Sequence, residues 1–238
     1  MVHALIIHTA FDFLALLLAL CSGWLTYRWR FRHDLQQTAA SINGLYFVCL
    51  SLGSITGAYF FGTLNLHISG VPGFGRSILG ALAGAILMVE LYKLLYGTKG
   101  STGYIYIIPF CISVIIGRLG CFFSGLEDNT HGIPTGSSWG WDYGDRILRH
   151  PVQIYESLSM VAFVAFVLLA LKYSPNLIIK KGFYFCVGFY ATQRFAWEFF
   201  KPYEPIIGPL NTFQYLCIAI VTYSVFMVRR ETRVYRTA

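Results

Sequence analysis

The chain has 238 residues, of which 56% are hydrophobic and only 12% are charged. Soluble domains carry about 25% charged residues, so the composition excludes an ordinary water-soluble domain. The formal charge of +7 would suit nucleic acid or an anionic membrane surface, and its placement along the chain argues against nucleic acid.

Apolar runs close to the ~20 residues needed to cross a hydrocarbon core fall at roughly 10–27, 42–62, 77–96, 104–123, 152–172, 182–200 and 212–228. Backbone groups in lipid must pair within their own segment, so these runs predict helices. The expected fold is an all-α integral membrane protein of about seven transmembrane helices, forming a single polytopic domain over 1–238. Cations collect in alternate connections: Arg28, Arg30 and Arg32; Lys93 and Lys99; Lys172, Lys180 and Lys181; Arg229, Arg230, Arg233 and Arg236. The positive-inside rule then predicts an outer N-terminus and a cytoplasmic C-terminus. The first run has no Lys or Arg before it and Arg residues after it, the reverse of a cleaved signal's charge order. It reads as a mature span.

Asp12 stands near the outer boundary of that first run, either as an interfacial cap or as a functional carboxylate, since charge is costly there. The second run is rich in small residues, and Gly80 and Gly84 form a small-xxx-small pair in the third, both predicting close helix packing. Arg76 precedes the third run and can snorkel or bind an anionic head group. Glu90 and Lys93 are spaced to pair on one helix surface. Pro109 predicts a kink in the fourth run. The six cysteines (Cys21, Cys49, Cys111, Cys121, Cys186 and Cys217) show no CxxC or Cys/His spacing, so they read as core residues, with neither a zinc site nor a disulfide framework predicted.

Between the fourth and fifth runs lies the longest polar stretch, with an outward loop expected over about 124–150. It holds His131, Asp142, Asp145, Arg146, Arg149 and His150, and Trp139 to Gly144 reads as an aromatic interfacial platform. Arg118 closes the run before it. Pro151 starts the run after it, at a favoured first helical position. Gln153, Glu156 and Ser157 share one helix face there, while Tyr155 points elsewhere. In the sixth run Arg194 and Glu198 are four apart and can pair. Two guanidiniums with few permanent counter-charges would clamp a phosphate through planar bidentate donors, and a phospholipid head group is the phosphate at that depth.

Three ordered segments carry a family resemblance. Gly117-Arg118-Leu119-Gly120-Cys121-Phe122, then His150-Pro151-Val152-Gln153-Ile154-Tyr155-Glu156, then Arg194-Phe195-Ala196-Trp197-Glu198-Phe199-Phe200 resemble the G-R-x-G-x-F, H-P-x-Q-x-Y-E and R-x-x-x-E-F-F signatures of the prolipoprotein diacylglyceryl transferases. The resemblance implies a bacterial inner-membrane enzyme. It would move the diacylglyceryl group of phosphatidylglycerol to a signal-peptide cysteine thiol, releasing glycerol phosphate without metal, nucleotide or other cofactor. Arg118 and Arg194 match the family's essential arginines. Cys121, Gln153, Tyr155, Glu156, Glu198 and Arg76 would contact substrate.

Two departures stand out. Cys121 occupies a position where the family usually has Asn. Phe74-Gly75-Arg76 stands where many members have His-Gly-Gly, whose histidine is a proposed base, so His131 and His150 become the base candidates. Other readings are a divergent member with a different acceptor, or a phospholipid-binding membrane protein without catalysis.

Overall fold

The computed structural model describes residues 2–234. Helix α1 (Val2–Thr26) passes through a π-helical turn (Tyr27–Phe31) into α2 (Arg32–Ala40); α3 (Gly44–Ile68), α4 (Ile78–Tyr96), α5 (Ile107–Ser124) and α6 (Val152–Tyr173) follow. A short α7 (Pro175–Leu177) and a second π-helical turn (Ile178–Gly182) lead into α8 (Phe183–Glu198), and α9 (Thr212–Val234) ends the described chain. Between α5 and α6 the loop forms a small antiparallel hairpin, β1 (Trp141–Asp142) with β2 (Leu148–Arg149). The protein is thus an all-α integral membrane protein.

Among the described residues, six helices are long and apolar enough to cross a membrane. The sixth predicted run is α8, a regular helix of only 16 residues that continues from the π-helical turn before it. The first span begins earlier than expected. The apolar residues ahead of Asp12 extend α1 back to Val2, so His8 and Asp12 sit within the helix rather than at its start. Pro109 lies in the first turn of α5, where its missing N–H costs no intrahelical bond.

The small residues do what their spacing predicts. A Cβ built on Gly57 would lie 2.2 Å from the Gly80 carbonyl oxygen, so α3 and α4 meet backbone to backbone. Glu90 and Lys93 pair at 2.9 Å, and Tyr223 donates to Glu90 at 2.8 Å. At one end of the helices the cation-rich connections gather: Thr98 donates to the Ser41 carbonyl at 3.2 Å and Lys181 to Thr232 at 2.8 Å. The three signature segments meet at the other end.

Candidate active site

Each polar group of the site comes from a helix end whose local sequence directs it inward. Arg118 lies in the second half of α5, followed by Gly120, against which Phe11 of α1 fits so closely that a Cβ there would lie 2.7 Å from it. Helix α6 begins just after Pro151, and Gln153 and Glu156 lie one turn apart on its inner face, both fully buried. Arg194 and Glu198 occupy the last turn of α8. Just beyond it, Lys201 turns back into the same interior, 4% exposed.

These groups form one ion cluster around Glu156. Arg118 pairs with Glu156 through Nε. Arg194 donates from Nη1 to both carboxylate oxygens of Glu156 at 3.0 Å, and its Nε lies 2.7 Å from Glu198 Oε1. Lys201 Nζ bonds Glu156 and reaches Glu198 at 3.3 Å, and Asn211 Nδ2 donates to Glu198 at 3.2 Å. The Arg194 guanidinium also lies 5.5 Å over the Phe213 ring.

The expectation of arginines with few counter-charges is corrected here: both guanidiniums face carboxylates of the protein itself. Low-dielectric surroundings enforce this, because an unpaired buried charge is far more costly than a paired one. Three cations meet two carboxylates, which leaves one positive charge over. Beside Arg194 on α8, the Tyr190 hydroxyl, the Gln193 amide and the Trp197 indole N–H are buried with no protein hydrogen-bond partner among the described residues.

A second network spreads from Gln153. Tyr143, from the hairpin loop, donates to Gln153 Oε1 at 2.9 Å, and Gln153 Nε2 donates to Thr130 Oγ1 at 3.4 Å. Burial pushes the Tyr143 hydroxyl up to about 12, so it remains a donor at neutral pH. Thr130 in turn donates to Asp128, which pairs with His8 of α1. The loop is fastened to the third signature segment by Ile133 N–H, which donates to the Phe200 carbonyl at 2.7 Å.

The remaining predicted residues lie around this centre. Cys121 Sγ is 4.0 Å from Arg118 Nη1. His150 Nδ1 is 3.4 Å from the Tyr155 hydroxyl and its ring packs on Phe200, while Tyr155 leans on Trp197. His131 lies by the Gly132 carbonyl at 3.2 Å and lines a cavity of about 210 Å³ with Asn65, Asn129 and Tyr203. Among the described residues neither histidine belongs to the ion cluster. Arg76 pairs loosely with Asp12 at 3.6 Å, both more than half exposed and away from the cluster. Trp141 and Tyr143 pack over Phe122, at 5.2 and 5.8 Å. Lys201 was missed by sequence reasoning; its signal was a lysine three residues after Glu198, just beyond an apolar run.

A larger, mostly apolar cavity of about 350 Å³ runs along α4 from Ile78 to Lys93 and touches α5, α8 and α9.

Comparison with known proteins agrees with the convergence of the three segments. Residues 13–230 match the family model described as prolipoprotein diacylglyceryl transferase. Proteins named phosphatidylglycerol–prolipoprotein diacylglyceryl transferase are similar to the chain. One from Polynucleobacter asymbioticus is 29% identical over 171 residues, 66% of this chain and 62% of that relative. One from Campylobacter lari is 35% identical over 56% of this chain and 47% of its own length. One from Aliarcobacter butzleri is 26% identical over 90% of this chain and 87% of its own. The chain thus spans less than two thirds of the first two relatives. No solved structure matches it. Because the model match takes in nearly the whole chain and includes all three segments that meet at Glu156, the chain belongs to the prolipoprotein diacylglyceryl transferase family.

Proposed function

We propose that the protein transfers the diacylglyceryl group of phosphatidylglycerol to the cysteine thiol of a prolipoprotein signal peptide, releasing glycerol phosphate. The observation that carries this reading is the buried cluster in which Arg118, Arg194 and Lys201 outnumber Glu156 and Glu198 by one positive charge. A phosphodiester monoanion balances that excess. It would also draw the spare donors of α8 and stabilise the charge that grows on the departing phosphate oxygen. Glu156 holds both guanidiniums at one point, so that a phosphate reaching them meets two fixed positive charges rather than mobile ones. Gln153 and Tyr143 offer polar contacts for head-group hydroxyls.

The apolar cavity beside α4 supports the lipid half of the reading. From Ile78 to Lys93 a helix rises roughly 22 Å, a length suited to acyl chains. We place the protein as one polytopic domain in the bacterial inner membrane, with the N-terminus and the Glu156 cluster outward and the cation-rich end cytoplasmic.

The test is a turnover assay with purified protein, labelled phosphatidylglycerol and a peptide carrying a lipoprotein signal cysteine. The expected result is glycerol phosphate in step with a peptide heavier by one diacylglyceryl group. Glycerol phosphate without modified peptide would point to another acceptor. Bound phospholipid without either product would overturn the transferase reading.

A further inference from the structure

The cavity beside α4 begins next to the ion cluster and ends on an ion pair. At its outer end Ile78 Cδ1 stands 3.9 Å from where a Cβ on Gly117 would lie, one residue before Arg118. Phe110, which also lines it, packs edge-on against Tyr190 at 5.1 Å, one turn of α8 before Arg194. At the other end Glu90 and Lys93 pair at 2.9 Å, and Tyr223 of α9 donates to Glu90 at 2.8 Å. All three line the cavity, and Lys93 is buried. On the α3 side Tyr46 donates to Thr102 Oγ1 at 3.1 Å, so the walls around this end are tied by hydrogen bonds.

Between the two ends α4 turns Ala81 and Ala85 toward the cavity, one turn apart, and α5 turns Ser113 toward it. These short side chains leave space that larger residues at the same positions would fill. From Ile78 to Lys93 the helix rises roughly 22 Å, more than the ~15 Å that one leaflet of a hydrocarbon core spans. A chain lying along it is straighter than its neighbours in the bilayer, so its terminal methyl falls where its length dictates.

We propose that this cavity takes one acyl chain of the donor phospholipid, and that its floor of Glu90, Lys93 and Tyr223 sets the longest chain accepted. The inference rests on the transferase reading above and adds a chain-length specificity to it. With the phosphate held at Arg118 and Arg194, the head end of the chain is fixed at the mouth. Each further methylene then moves the methyl toward the floor. Short of the floor, chains of different length are nearly equivalent, because cavity and bilayer are both hydrocarbon. Beyond it, the methyl presses on a carboxylate and an ammonium that give way only by losing their partners, or the phosphate is drawn off the arginines. Overpacking and the loss of polar partners act in the same direction.

The test measures transfer by purified full-length protein from phosphatidylglycerols that differ only in acyl length. The expected kcat/KM stays level and then falls about tenfold once the extended chain passes roughly 22 Å. Ala85→Phe should move that break to shorter chains, and Glu90→Gln combined with Lys93→Met should move it to longer ones. Ala81→Leu replaces Ala85→Phe if the latter does not fold. A second measurement needs no variant. A lipid with a photoreactive group on its terminal carbon should label residues 89–93 or Tyr223, and one with the group beside the glycerol should label Ile78. Equal kcat/KM across the series in parent and variants, or terminal labels found only outside the cavity, would overturn the length limit and leave the transferase standing. The same break in phospholipid binding, with no diacylglyceryl group transferred at any length, would overturn the transferase reading and leave the cavity assignment intact.

Discussion

Arg194 reaches across 38 residues of sequence to place one guanidinium nitrogen 3.0 Å from each carboxylate oxygen of Glu156. That contact joins the second and third signature segments, and Arg118 of the first closes on the same carboxylate. Glu156 is therefore the hub through which three separate helices are held at one point.

Removing the hub should destabilise the protein. Glu156→Ala leaves three buried cations facing a single carboxylate, and breaking a buried pair in this way costs about 3–5 kcal/mol. Thermal unfolding in detergent should show a large drop in Tm, accompanied by loss of turnover. A Tm within a degree or two of the parent would contradict the hub role.

The two arginines should act differently from the hub. Arg118→Ala and Arg194→Ala should each lower glycerol phosphate release by at least about 100-fold, the range seen when one charge-stabilising donor is lost. Arg194→Lys should not restore the rate, because a single ammonium on a shorter, non-planar head cannot reproduce the two separate nitrogens, Nη1 on Glu156 and Nε on Glu198, with which Arg194 bridges the carboxylates. Near-parental activity in either alanine variant would refute the assignment of phosphate to this cluster.

Lys201 carries a pH signature. Burial, reinforced by the neighbouring Arg194 charge, lowers its pKa below the ordinary 10.5. On raising the pH, the folded protein therefore loses this cation earlier than a solvent lysine would, and with it the excess positive charge of the cluster. Affinity for an anionic phospholipid should fall on the alkaline side, and Lys201→Arg should move that limb to higher pH. Profiles of KM against pH for parent and variant check this; superimposable alkaline limbs would show that Lys201 does not contribute charge to binding.

The α3–α4 contact should tolerate no added volume. Gly57→Val places atoms where the Gly80 carbonyl already sits 2.2 Å from an ideal Cβ, and overpacking of this kind typically costs 1–3 kcal/mol or more. Gly44→Ala, with open space around its Cβ position, should leave Tm unchanged. Equal stability of the two variants would mean that the helices separate more easily than their packing implies.

Much of this was legible from residue order alone. A chain this poor in charge has to bury its backbone polar groups in helices, and helices of this length declare themselves by composition. The three signature segments were legible too, because each is compact and local. The Glu90–Lys93 and Arg194–Glu198 pairs followed from the helical period of 3.6 residues, and both form.

What was not legible depended on distance in the fold rather than on local spacing. Pro109 stands two residues inside α5, a placement set by where the preceding 3-10 turn ends and not by its run of apolar residues. His8 and Asp128 are 120 residues apart and pair only because α1 lies against α5. Lys201 falls just outside an apolar run and reads as an interfacial charge until the turn after α8 folds it back under Glu156.

The sequence by itself determined the membrane class, the helical elements and the family, because hydrocarbon thickness and backbone hydrogen bonding leave a long apolar run no other form. Only the tertiary structure decided which charges face one another. A buried ion needs a partner within a few ångströms, and that partner can come from any helix the packing brings near. Here it brought five charged groups to one place, three positive and two negative, and the remaining positive charge is the part of the site that sequence order could not disclose.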